Sequence, residues 1–142
     1  VKMGDYRYTT GSGKNARTHR MSYAVIHLPW IGTPDLLIRK EHIGDKLGSG
    51  LGFDDIDFES DAFSRAFHVT APKRKWAFEV LHQETMEFLL EQPRFTIEMA
   101  GPWLMVRETS RLGHEDFGRA MALANGILDR LPRYLLRELK GE

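Results

Sequence analysis

The sequence predicts an α+β domain with an antiparallel sheet of about five to seven strands, short inserted helices and a long C-terminal helix. Short segments with a period of two are joined by glycine- and proline-containing turns, which is typical of hairpins. The chain lacks the regular strand–helix–strand alternation of a parallel sheet. Near the C-terminus, apolar residues recur at the i, i+3, i+4 spacing of an amphipathic helix.

Length and composition narrow the class of protein. The 142 residues are expected to form one domain over positions 1–142, and the strand-like start at Val1 suggests part of a longer protein. Twenty basic and twenty acidic residues cancel, which disfavours nucleic-acid binding as the main function. The absence of cysteine excludes disulfides and thiolate sites, and no apolar run is long enough to span a bilayer.

The first third of the chain predicts a hairpin and a further strand. Residues 5–10 and 18–28 alternate in polarity around a glycine-rich turn at 11–15. Pro29 ends the second strand, because proline has no backbone N–H for the ladder. Pro34 precedes a third predicted strand at residues 35–39.

The middle of the chain predicts short elements. A helix is expected at residues 40–47, and a strand at 54–59 with Ile56 and Phe58 pointing inward. Ser60 is a typical N-cap for a single helical turn. The remaining predictions are a strand at 68–70 and helices at 73–81 and 83–92.

The C-terminal part predicts a hairpin and the long helix. Residues 94–99 and 103–107 flank a Gly-Pro turn. Leu112 and Phe117 around Gly113 form a hydrophobic-staple pattern at the start of the last helix. Pro132 is expected to kink or end that helix, with a further turn at 133–139. A pleckstrin-homology-like barrel closed by this helix remains an alternative.

The glycine-rich turn of the first hairpin is the centre of a basic cluster. It does not match a phosphate loop, because Asn15 replaces the required Ser or Thr and position 8 is tyrosine. Basic side chains at Lys14, Arg17 and Arg20 could instead bind a protein or a membrane surface, or the phosphates of a nucleic acid. The alternative is a solvated hairpin whose charges protect an edge strand.

Two further features are candidate sites. Trp30, in a Pro-Trp-Ile-Gly loop, is either buried under the sheet or an exposed anchor for a partner. Asp55, Asp57 and Glu59 would share one face of a strand, where they could hold a divalent cation or act as acid and base. A solvent-facing acidic strand is the simpler interpretation. No histidine pair or nucleophile motif supports an enzyme, so no cofactor is predicted.

Residues 53–108 resemble an uncharacterised bacterial family, domain of unknown function 3137. The shared pattern is Phe-x-x-x-Phe-x-Val followed by Leu-x-x-x-x-Met-x-x-Leu-Leu, carried here by Phe63, Phe67, Val69, Leu81, Met86, Leu89 and Leu90. The family's proline is replaced by Gln83. The upstream hairpin is similar to actinobacterial relatives.

This resemblance implies a location and a kind of function. Members of the family look membrane-anchored, which implies that this chain is the cytoplasmic part of a bacterial membrane protein. No catalytic residues are carried over, since the matching positions are apolar or turn-forming. We therefore expect a non-catalytic soluble domain that binds a protein or membrane surface. The alternatives are a metal-dependent enzyme using residues 55–59 and nucleic-acid binding through the hairpin.

Overall fold

A computed structural model of the chain describes residues 1–30, 32–40, 56–93, 95–108 and 112–141. In these ranges one sheet is combined with five α-helices, which confirms the predicted α+β class. The strands are β1 Lys2–Thr10, β2 Arg17–His27, β3 Thr33–Lys40, β4 Phe67–Thr70, β5 Thr96–Gly101 and β6 Trp103–Glu108. The helices are α1 Asp61–Ala66, α2 Arg74–Val80, α3 Gln83–Glu91, α4 His114–Asp129 and α5 Arg133–Leu139.

The six strands form one open antiparallel sheet in the order β1-β2-β6-β5-β3-β4. Both predicted hairpins are present, as β1–β2 and β5–β6. The second hairpin lies between β2 and β3, although β4 and three of the described helices separate it from β3 in sequence. Because β1 and β4 are edges of the described sheet, the barrel alternative is wrong for this part of the chain.

The hydrophobic core lies on one face of this sheet. A row of side chains crosses five strands in register and is almost fully buried; it consists of Ala24, Val106, Ile97, Ile38 and Val69. Helix α4 contacts β2 and β6 and buries Ala120, Leu123, Ala124 and Ile127. The alternation of side chains along each strand therefore gives the sheet a core face and an opposite face, which we call the open face.

The local helix signals are confirmed. The Ser60 hydroxyl accepts a hydrogen bond from the Phe63 N–H at 3.2 Å, so Ser60 caps α1. At the start of α4, Leu112 is buried, and the Asp116 carboxylate accepts a hydrogen bond from the Gly113 N–H at 3.3 Å. Gly113 has no side chain to return that bond, so only half of a capping box forms.

Several predictions differ from the structure. Ile56 and Phe58 are buried as expected, but residues 56–59 form no strand, and Ile56 N–H donates to Val69 O at 3.1 Å. Pro34 lies inside β3 rather than before it, where the pairing with β5 is irregular between Thr33 and Leu36. Such an irregularity tolerates a residue without an N–H. The predicted helix at 40–47 lies outside the described residues from position 41 onward.

Helices α3 and α4 make a close contact at Gly126. A Cβ atom added to this buried glycine would lie 2.1 Å from Phe88 Cζ. The guanidinium of Arg130 lies 4.0 Å from the centre of the same ring, on its face. Near the end of α4, the His82 Nε2 atom lies 2.7 Å from the Arg130 carbonyl oxygen. The Phe88 ring thus meets Gly126 with its edge and Arg130 with its face.

Replacing Gly126 by alanine should destabilise the fold by about 1–3 kcal/mol, because the Phe88 ring must shift to make room for the new Cβ atom and its contact with Arg130 is disturbed. Gly118→Ala is the matched control, since α4 also holds Gly118 and an added Cβ there meets nothing within 4 Å. In the control, the free energy of unfolding should rise by up to about 1 kcal/mol, because alanine has a higher helix propensity than glycine. Chemical denaturation measures both, and equal effects of the two variants would contradict this packing.

Helix α5 interacts with α2 through Tyr134 and Glu79. The hydrogen bond to the Glu79 carboxylate, helped by the negative charges of Glu79 and Glu138, raises the pKa of the Tyr134 hydroxyl above its ordinary value. This interaction favours the neutral phenol. Its contribution is therefore complete below the ordinary pKa and is lost as pH rises through the folded-state pKa.

Glu79→Gln should lower the pKa of Tyr134 towards that of a free tyrosine, because the charged hydrogen-bond acceptor is removed. The measurement is a phenolate absorbance titration, with Tyr134→Phe subtracted to isolate this residue. Glu138→Gln, which removes only a Coulombic contribution, should have a smaller effect. An unchanged titration in Glu79→Gln would rule out the contact.

Candidate functional site

The most distinctive surface is the part of the first hairpin that extends past the rest of the sheet. β1 pairs with β2 along its full length, but β2 pairs with β6 only from Ser22 to His27. Residues 6–21 therefore pair only with each other, and we call them the hairpin arm. Its paired part is five residues long on each strand, or roughly 15 Å. At its tip, Gly11 and Gly13 have positive φ angles of 79° and 62°.

The hairpin arm is strongly basic. It contains four basic residues and no acidic one, in a chain whose total charge is zero. All four basic side chains are exposed: Arg7, Lys14, Arg17 and Arg20. Arg7 and Arg20 lie directly opposite each other in the ladder, a like-charge pair that opposes strand pairing. This arrangement concentrates positive charge without internal compensation.

Aromatic side chains occupy one face of the arm. Tyr6 and Tyr8 are exposed, with ring centres 5.8 Å apart. Tyr8 stacks on His19 of the opposite strand at 4.8 Å, and His19 Nε2 lies 3.0 Å from the Thr10 hydroxyl. The arm thus combines cations with flat rings that have both an apolar surface and a polar tip.

A buried hydrogen-bond chain fixes the base of the arm. The hydroxyl of Ser22, which is 1% exposed, donates to the Asp5 carboxylate and accepts from the Leu112 N–H at 3.0 Å. Leu112 directly precedes Gly113, the N-cap of α4. Ser22 therefore connects the last residues of the arm to the helix that covers the core.

The candidate residues predicted from the sequence fall into two separate places. Lys14, Arg17 and Arg20 lie on the arm, whereas Trp30 follows the opposite end of β2, roughly 30 Å away along the strand. Trp30 is half-buried and packs against the core, and its Nε1 atom is buried without a hydrogen-bond partner in the described ranges. Leu28 N–H binds Pro102 O at 2.6 Å, which holds this loop beside the β5–β6 turn. The two features do not form one surface.

The acidic candidates are only partly described. Asp55 lies outside the described residues, and Asp57 and Glu59 are exposed in a segment that is not a strand. Among the residues that the structure describes, no three His, Cys, Asp or Glu side chains are arranged to hold a metal ion. No helix in the same ranges is long and apolar enough to cross a membrane.

The sequence did not indicate a hollow of about 310 Å³ where the arm leaves the sheet. Residues of the arm and of the ends of β5 and β6 line it, among them His19, Arg20, Thr96 and Arg107. Thr96 and Arg107 are neighbours only through the β5–β6 register. The predicted β5–β6 hairpin could have indicated from the sequence that Thr96 and Arg107 are neighbours. The order of the strands in the sheet, which the sequence did not predict, was needed to bring Arg20 nearby.

Comparison with known proteins gave no relative to guide the assignment. The chain matches no family model, no curated protein and no solved structure. The geometry described above is therefore the basis for a functional proposal.

Removing the Ser22 hydroxyl should destabilise the protein by about 1–3 kcal/mol, because the Leu112 N–H is left buried without a partner. Amide hydrogen exchange should also accelerate in β1, since the base of the arm loses its connection to α4. Ser22→Ala is to be compared with Ser12→Ala at the exposed tip, where the side chain makes no capping bond. Equal stability of the two variants would refute this role.

Proposed function

We propose that this chain is a non-catalytic domain that binds an anionic membrane surface through the hairpin arm. In this proposal it belongs to a bacterial membrane-anchored protein and faces the cytoplasm. The observation that carries the proposal is the arm itself, a projecting two-stranded ribbon with four exposed basic residues and no acidic one.

Charge supplies the attraction. Each basic residue near an anionic leaflet contributes about 1 kcal/mol, so four of them contribute roughly 4 kcal/mol. That corresponds to a dissociation constant of about 1 mM for the isolated domain, which is weak. A membrane anchor elsewhere in the same protein would make the contact effectively intramolecular and raise its occupancy.

The tyrosines of the arm fit the same surface. Tyr6 and Tyr8 expose amphipathic rings beside the cations, and such rings favour the boundary between lipid headgroups and acyl chains. The resemblance of residues 53–108 to a membrane-anchored bacterial family supports the same location. Trp30 lies at the other end of β2, so we assign it to packing rather than to this contact.

Vesicle sedimentation tests the proposal. The protein should bind vesicles rich in phosphatidylserine, and this binding should weaken as salt is raised. Lys14→Gln combined with Arg17→Gln should lower the partition coefficient roughly thirtyfold, because two of the four charges are lost. Neither the unmodified protein nor the double variant should bind neutral phosphatidylcholine vesicles appreciably.

The matched control is Arg74→Gln combined with Lys75→Gln. These basic residues are equally exposed, but they lie on α2 away from the arm. An equal loss in both double variants would show that the arm has no special role. Binding of a single-stranded oligonucleotide, with no vesicle binding at low salt, would replace the membrane proposal with nucleic-acid binding.

A further inference from the structure

The hollow at the base of the arm has the chemistry of an anion site. We call it the arm-base hollow; it has a volume of about 310 Å³, near the lower end of the range for small-ligand sites. Arg107 and Thr96 line it from the open face of the sheet, and Tyr8 and His19 line it from the arm. Arg20 also borders the hollow, but its side chain lies on the other face of β2, the face of Ser22 and Ala24. The hydroxyl of Tyr8 adds another donor. The open-face lining thus offers the Arg107 guanidinium and the hydroxyls of Tyr8 and Thr96.

The single carboxylate of the lining is already neutralised. Glu108 is the only acidic residue described around the hollow, and Lys40 Nζ contacts its Oε2 atom at 2.7 Å. Both side chains are largely buried, with 22% and 16% of their surfaces exposed. The Lys40–Glu108 pair contributes no net charge, so Glu108 does not offset the positive charge of Arg107.

Arg107 keeps unused capacity for hydrogen bonding. Its closest ion pair is to Glu98 at 3.6 Å, longer than the 2.7–2.9 Å of a charge-assisted hydrogen bond. Its Nε atom is buried and has no hydrogen-bond partner within the described part of the chain. The Arg107 guanidinium is therefore fixed in place but still has hydrogen-bond donors available beside the hollow.

A second arginine on the open face adds to the positive potential. Ile38 pairs with Ile97, so the same register places Arg39 beside Thr96, which itself pairs with Arg107. The Nε atom of Arg39 is also buried without a hydrogen-bond partner in the described ranges. Thr96 is thus flanked by arginines on both neighbouring strands.

We propose that the arm-base hollow binds the phosphate group of a small phosphomonoester. A phosphate has three strong acceptor oxygens and nearly two negative charges, so it can engage the Arg107 guanidinium and the Thr96 and Tyr8 hydroxyls together, next to the positive charge of Arg39. A carboxylate offers fewer acceptors for the same donors. The volume exceeds that of phosphate alone and leaves space for a small organic group. The hollow shares Tyr8 with the hairpin arm, but Thr96 and Arg107 lie on the sheet and take no part in the proposed membrane contact.

Titration calorimetry with inorganic phosphate tests the site, with amide chemical shifts of Thr96 and Arg107 as a second readout. Arg107→Gln should weaken binding at least about tenfold, because a charge-assisted hydrogen bond is lost. Thr96→Val should weaken it by a smaller factor. Glu98→Gln should strengthen it about two- to fivefold by releasing Arg107 from its ion pair.

Arg74→Gln is the control, since it removes an exposed guanidinium of α2 that does not line the hollow. Thermal unfolding of each variant separates lost binding from lost folding. Vesicles containing phosphatidylinositol phosphate are the second probe. Binding to these vesicles but not to inorganic phosphate, with the binding lost in Arg107→Gln, would assign the site to a lipid headgroup. The proposal is overturned if neither probe binds, or if Arg107→Gln and Arg74→Gln behave alike. Because Lys14→Gln with Arg17→Gln leaves the hollow intact, failure of membrane binding would not affect this outcome.

Discussion

The register of the antiparallel sheet is the constraint on which the rest of this structure depends. It aligns Ala24, Val106, Ile97, Ile38 and Val69 into one buried row across five strands. A shift of one residue in any of these strands would turn its apolar side chains away from the core and expose them. The same alternation places Tyr23, Arg107, Thr96 and Arg39 on the open face. The core therefore determines which polar groups can meet there.

The hairpin arm follows from a difference in strand length. β1 and β2 pair over nine residues each, whereas β6 pairs with β2 over six, so the remainder extends beyond the sheet. A two-stranded ribbon is only marginally stable alone, and a like-charge pair weakens it further. Ser22 lies where three-stranded pairing ends and links this ribbon to α4. The buried Ser22 hydroxyl thus stabilises the hairpin arm, whose like charges disfavour folding.

Local signals were predicted well because their causes are local. The N-cap at Ser60, the start of α4 after Leu112 and the two hairpins each depend on residues a few positions apart. The strand expected at 54–59 is different. Ile56 and Phe58 alternate with acids as a strand would, yet they are buried by packing, and their backbone groups bond to Val69 and to the Ser64 hydroxyl rather than to a strand ladder. Period-two polarity reports which side chains are buried, not how the backbone is bonded.

The sequence by itself determined the α+β class, the hairpins, the long C-terminal helix and the basic character of the first turn, since periodicity, turn residues and charge are properties of neighbouring residues. Only the tertiary structure decided that β5–β6 inserts between β2 and β3, that Trp30 lies far from the basic residues, and that Arg20, Thr96 and Arg107 surround one hollow. These are contacts between residues distant in the chain. Which of these contacts form depends on the free energy gained when the sheet is buried against α4, and no local sequence pattern encodes that free energy.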